Sequence, residues 1–190
     1  YEKNPLLSCV MGFNVDVAKD VVKSKKVKVI TSDIIYRLIE DFKKWQDAER
    51  KKIEAKELDY LTKPCKVQVM KGYVFRQSNP AIVGCDILFG TLKIGTPLMK
   101  KDGVKLTEVK AMQLNKENIS EAEKGKQVAA SLIDVTVGRQ INEGDELISA
   151  VPEKDFRKLK EFKKYLSEED KELLREIAAI MRKENPVWGV

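Results

Sequence analysis

With 190 residues, 35% of them charged and 43% hydrophobic, the chain can bury a core and divides into one domain of ordinary size or two small ones. It contains no histidine, which excludes Ser–His and Cys–His nucleophile pairs, HExxH metal sites and imidazole acid–base chemistry. No apolar run reaches the roughly 18 residues of a membrane span, and no signal-peptide pattern opens the chain. The three widely spaced cysteines, Cys9, Cys65 and Cys85, read as reduced buried thiols, so a cytoplasmic protein with no membrane partner is expected.

In chain order, residues 1–31 read as one βαβ unit. Leu6–Met11 is a continuous apolar run of the kind buried on both faces of a parallel sheet, Lys26–Ile30 is a second strand, and Asp16–Ser24 a short helix between them. Two parallel strands cannot cover themselves and the chain opens on Tyr1, so the start of this α/β domain is expected upstream. Ser32-Asp33 then caps a long helix that fills 32–63 up to Pro64. Its first half carries an apolar stripe of Ile35, Leu38, Ile39, Phe42 and Trp45; its second half is charged, with local pairs such as Asp47 and Lys51. A helix that packs at one end and is wet along the other is a spacer, and the alternative is an amphipathic helix lying on a larger domain.

From 64 to 151 the pattern is β. Cys65–Met70, Ala81–Phe89, Val104–Met112, Gln127–Val137 and Glu146–Val151 are strand-like, and glycine turns punctuate them, Asp102-Gly103 being a hairpin signal. Short, evenly spaced strands of this kind predict a closed barrel. Residues 152–190 form an αα-hairpin with stripes of Phe156, Leu159, Phe162 and Leu166, then Leu173, Leu174, Ile177, Ile180 and Met181, restarted by a capping box at Ser167 and Asp170. The second stripe is wider than one short partner helix needs. Docking on the barrel and a protein-binding groove both account for it.

No segment forms an acid, base and nucleophile set. Gly90 to Pro97 has two glycines at phosphate-loop interval but lacks the Lys-Ser/Thr that must follow, and Glu168-Glu169-Asp170 reads as the first turn of a helix. No metal ligand set and no catalytic residue is expected. Between Cys65 and Asn115, eight basic residues face three acidic ones. That charge alone fits a nucleic-acid backbone surface and plain solubility equally. The stretch GYVFRQSNPAIVG adds more: Tyr73-Val74-Phe75 offers a stacking platform, Arg76 a planar donor, and Gln77, Ser78 and Asn79 groups that read sugar and base edges. Arg139-Gln140 repeats a cation and an amide at another strand end. As a cluster these residues point to RNA, whereas each one alone reads equally as turn or core.

GYVFRQSNPAIVG, GTLKIGTPLMKKDG and GRQINEGDEL resemble the C-terminal barrel of translation initiation factor five-B, the archaeal and eukaryotic relative of the bacterial initiator-tRNA factor, and TSDIIYRLIEDF resembles the α/β domain that precedes its connecting helix. The resemblance implies an α+β multi-domain fragment: a partial α/β domain, a long connecting helix, a translation-factor-type antiparallel β-barrel and a C-terminal α-helical hairpin. It implies that the GTP- and magnesium-binding domain lies upstream, with no cofactor in this fragment. It further implies that the barrel binds the aminoacylated acceptor end of initiator methionyl-tRNA on the ribosome, in contact with rRNA, during subunit joining. Phe75, Arg76, Gln77, Ser78, Asn79, Lys100, Lys101, Gln127, Val128, Arg139 and Gln140 are then the candidate acceptor-end residues. Leu173, Leu174, Ile177, Ile180, Met181 and Trp188 are the candidates for docking the tail of a small OB-fold initiation factor of the ribosomal A site. The alternative is a purely protein- or ribosome-docking module.

Overall fold

A computed structural model describes residues 4–17 and 27–190. These fall into two compact units, Tyr1–Tyr60 and Leu61–Val190. In the first, strands β1 (Cys9–Phe13) and β2 (Lys28–Ser32) pair in parallel, Cys9 opposite Lys28 and Phe13 opposite Ser32. Most of the short helix expected over Asp16–Ser24, and the first residue of the strand expected at Lys26–Ile30, lie outside the described residues. The strand begins later than the apolar run does, and Leu7, Val10 and Met11 are about half exposed rather than buried on both faces. Helix α1 (Ile35–Tyr60) follows directly, about 39 Å long at 1.5 Å per residue. The Ser32 hydroxyl accepts the Ile34 N–H at 3.1 Å. Its first half packs, with Leu38 buried, Phe42 and Trp45 in ring contact at 5.9 Å, and the Gln46 amide donating to the Leu6 carbonyl. Its second half is supported by Glu49 with Lys52 at 3.1 Å, and no ion pair between Asp47 and Lys51 is seen among the described residues.

The second unit is built on a closed barrel. Strands β3 (Cys65–Arg76), β4 (Ala81–Lys93), β5 (Pro97–Met99), β6 (Lys105–Leu114), β9 (Gln127–Leu132) and β10 (Glu146–Ser149) run around it in the order β3-β10-β5-β6-β9-β4, and β4 pairs back to β3. Every pairing is antiparallel. The short strands β7 (Glu117–Ile119) and β8 (Glu121–Glu123) extend β6 and β4 outside the ring. Alternation fixes the core: Cys65, Val67 and Val69 of β3 point inward and meet Val83, Cys85 and Ile87 of β4, Leu98, Leu132 and Leu147. Burial pushes the Cys65 and Cys85 thiols up to about 12, the response of inert core groups. Gly90, at φ +72°, lies opposite Cys65 against the residue that leads into β3. A Cβ there would sit 2.0 Å from the Pro64 carbonyl oxygen, so only glycine fits.

Helices α2 (Glu153–Glu161) and α3 (Glu168–Met181) cover one side of the barrel. The capping box at α3 forms as read: the Ser167 hydroxyl accepts the Asp170 N–H while the Asp170 carboxylate accepts that of Ser167. Helix α3 lies against β3 and β4 and is pinned there by Lys66–Glu176 at 2.8 Å and Lys124–Glu169 at 2.7 Å. The two lysines also flank the Phe89 ring, at 5.9 and 5.0 Å from its centre. The C-terminal residues return over α2, where Trp188 packs on Phe156 at 4.6 Å.

Candidate nucleic-acid-binding end of the barrel

Strand β3 outgrows the barrel. A register shift separates Val69 from Val74; beyond it β3 stays paired with β4, Val74 opposite Val83 and Arg76 opposite Ile82, with Val74 half-buried against the core and its neighbours Tyr73, Phe75 and Arg76 exposed. The shift centres on Gly72, whose φ of +76° is costly for any residue with a side chain. Beyond it Tyr73 and Phe75, two apart and hence on one face, contact edge to face at 6.5 Å and are 51% and 62% exposed. Phe75 is therefore a surface ring and not a core residue. Arg76, Gln77 and Asn79 are exposed, and Ser78 is half-buried in the bend that leads to Pro80.

The register places several distant segments at this same end. Ala81 opposite Leu132 marks it on β4 and β9; Met99 opposite Lys105 and Ile148 opposite Met99 bring the Lys100–Gly103 hairpin and the start of β10 there. The Gln77 carbonyl accepts the Val137 N–H at 2.9 Å, which ties the polar block to the turn carrying Arg139 and Gln140. Arg139 is exposed, and neither it nor Arg76 forms an ion pair among the described residues. The Gln140 side-chain oxygen is occupied locally, accepting the Thr136 N–H at 2.9 Å. Lys100 and Lys101 are paired, to Asp145 at 2.8 Å and Glu146 at 3.0 Å. The hydrogen bond to Glu146 raises the Lys101 pKa above its ordinary value and lowers that of Glu146. Burial works to raise Asp145, but hydrogen bonds from Lys100 and Asn142 outweigh it and leave the carboxyl below its usual range.

Two expected site residues do not join this end. Val128 is buried in the core, opposite Cys85, and Gln127 is opposite Asp86 at the far end of the β4–β9 ladder, because β9 runs toward the barrel mouth and not away from it. The helical set is corrected too. Leu173, Leu174, Ile177, Ile180 and Trp188 are buried within the unit and Met181 is partly so: helix α3 packs on the barrel strands β3 and β4, Leu174 sits toward α2 and Trp188 covers Phe156. What faces solvent is a groove of about 280 Å³ between α2 and α3, floored by Phe156, Leu174 and Ala178 and rimmed by Lys160, Lys163, Lys171, Arg175 and Arg182.

The family described as Elongation factor Tu domain 4 matches residues 63–148, which are the barrel. Along 98% of its length the chain is 40% identical to a probable translation initiation factor IF-2 of Methanospirillum hungatei, and along 99% it is 40% identical to that of Ignicoccus hospitalis. The crystal structure of GDP-bound aIF5B from Aeropyrum pernix superposes with a TM-score of 0.69 at 36% identity over 98% of this chain. The chain belongs to the translation initiation factor five-B family. It corresponds to the C-terminal part of that family's proteins and spans about a third of their length, 32% of each relative named. Helix α1, the closed antiparallel barrel and the C-terminal helices are thus those of a translation-factor-type α+β fragment.

Sequence reasoning missed Glu143, whose carboxylate accepts the Gly72 N–H at 2.9 Å, and the acids that hold the two lysines. Their only signal was the acidic run Glu143-Gly144-Asp145-Glu146, since the partners lie far away in the chain.

Proposed function

We propose that the open end of the barrel binds the aminoacylated acceptor end of an initiator methionyl-tRNA on the ribosome. The observation that carries this reading is the exposed Tyr73–Phe75 pair, on the outer face of β3 beside Arg76 and linked through the Gln77 carbonyl to the turn that bears Arg139. Unstacked bases of a single-stranded end stack on such rings, and guanidinium groups supply planar donors to phosphates and base faces. Ser78 and Asn79 contribute neutral hydrogen-bonding groups, and Lys100 and Lys101 stand at the same end, each held by an acid. Recognition here needs no metal and no catalytic group. In the parent protein, a cytoplasmic factor of ribosomal subunit joining, GTP and magnesium are bound outside this chain.

A second surface is favoured by the α2–α3 groove. An apolar floor inside a rim of five cations suits an acidic peptide with apolar anchors, and the tail of a small OB-fold initiation factor is the partner we assign to it. If this surface acted alone, the chain would be a protein-docking module without tRNA recognition.

An isotope-labelled chain titrated with an aminoacylated acceptor-stem minihelix separates the two. Amide shifts concentrated at Tyr73–Asn79 and Val137–Gln140 support the barrel-end reading. Shifts absent there would remove it and leave the groove as the functional surface.

A further inference from the structure

The residues that would grip an RNA end are held by one short acidic loop. Glu143 accepts the Gly72 N–H at 2.9 Å, at the bulge from which the Tyr73–Phe75 pair projects. Two residues on, Asp145 binds Lys100 at 2.8 Å, and its neighbour Glu146 binds Lys101 at 3.0 Å. The loop backbone is fixed as well: the Gly144 N–H donates to the Val69 carbonyl at 2.7 Å and the Asp145 carbonyl accepts the Val69 N–H at 2.9 Å. The Asn142 N–H closes the turn on the Asp145 carboxylate at 2.9 Å. Lys100 and Asp145 are each about 70% shielded from solvent, so this pair is screened less than a fully exposed one.

An anion-binding surface seldom benefits from acids beside its lysines unless discrimination is what they provide. A lysine free to move grips any phosphate, whereas one already neutralised adds little to sequence-independent attraction. We propose that Asp145 and Glu146 are specificity-determining residues of the barrel end: they withhold Lys100 and Lys101 from indiscriminate phosphate contact, while Glu143 in the same loop positions the aromatic pair. RNA is then retained through Arg76, Arg139 and the rings, and only an unpaired end offers the rings the base faces that a duplex keeps stacked. This inference rests on the acceptor-end reading and adds to it the element that makes binding selective.

The test compares the 190-residue chain with its Asp145→Asn and Glu146→Gln variants, measuring affinity for an unrelated deacylated tRNA and for aminoacylated and deacylated initiator tRNA across a salt series. Each variant is expected to bind the unrelated tRNA several-fold more tightly, with a salt slope steeper by about one per lysine released. The preference for the aminoacylated initiator is expected to shrink at the same time. A loop with only a structural role would lower all affinities together, and that result overturns the proposal. So does an unchanged affinity and slope for the unrelated tRNA, even where the wild-type preference stands. Glu146→Gln guards against misfolding, since Glu146 lies at the surface. A wild-type chain with no preference refutes the acceptor-end reading itself, and the specificity role falls with it.

Discussion

The carbonyl of Gln77 accepts the amide of Val137 at 2.9 Å, joining two loops distant in sequence into one edge of the barrel mouth. Because the bond uses backbone atoms, the exposed side chains of Phe75 and Arg139 can be altered without breaking it. Phe75→Ala is expected to weaken RNA binding by about 1–3 kcal/mol, the range for loss of one stacked base, with an unchanged melting temperature. Arg139→Ala is expected to weaken it with a shallower salt slope. Paired binding isotherms and melting curves check both.

Helix α3 buries one face and turns the other to the groove proposed above as a docking surface. Ile177 is fully buried, so Ile177→Ala is expected to cost about 2–5 kcal/mol of stability. Arg175→Glu, on the groove rim, is expected to leave the melting temperature in place and to weaken capture of an acidic peptide carrying apolar anchors. Denaturant unfolding and fluorescence anisotropy with a labelled peptide separate the two effects.

These cases show what the sequence can reveal and what it cannot. The Asp102-Gly103 hairpin, the Ser167–Asp170 capping box and the start of α1 are local, and each is written in residues that touch one another. Barrel closure is not local, because β10 completes the ring by pairing with both β3 and β5. Val128 shows the consequence. Alternation puts it on one face of β9, but only the pairing with Cys85 says that this face is the core and that Gln127 is remote from Arg76. The apolar stripe of α3 was visible, yet only the packed structure reveals that the unit itself buries it. Phe75 is the opposite case: its place in the cluster with Arg76 and Gln77 marked it as a surface ring, although a lone aromatic in a strand also reads as core, and the structure leaves it 62% exposed beyond the bulge at Gly72.

Gly90→Ala tests the close contact of β4 with the entry to β3. The added methyl meets the Pro64 carbonyl and a backbone at φ +72°, and neither can yield without parting β3 from β4. A loss of at least about 2 kcal/mol is expected, measured by denaturant unfolding, far beyond the effect of an ordinary surface glycine change.

Asp145 gives a pH signature. Its carboxyl is held below the ordinary 3.8, so its contribution to stability is complete above that value and is lost as pH falls through the lower folded-state value. Wild type is expected to exceed Asp145→Asn in stability at neutral pH, with the gap closing in strong acid. Melting curves of both chains between pH 7 and about 2 follow it.

The central claim is tested most directly by the affinity of the 190-residue chain for aminoacylated and deacylated initiator tRNA, measured side by side for wild type and Arg76→Ala. Tighter binding of the aminoacylated form, with a loss of about 1 kcal/mol or more on substitution, is the predicted result. Equal binding of the two forms, unmoved by the substitution, would contradict it.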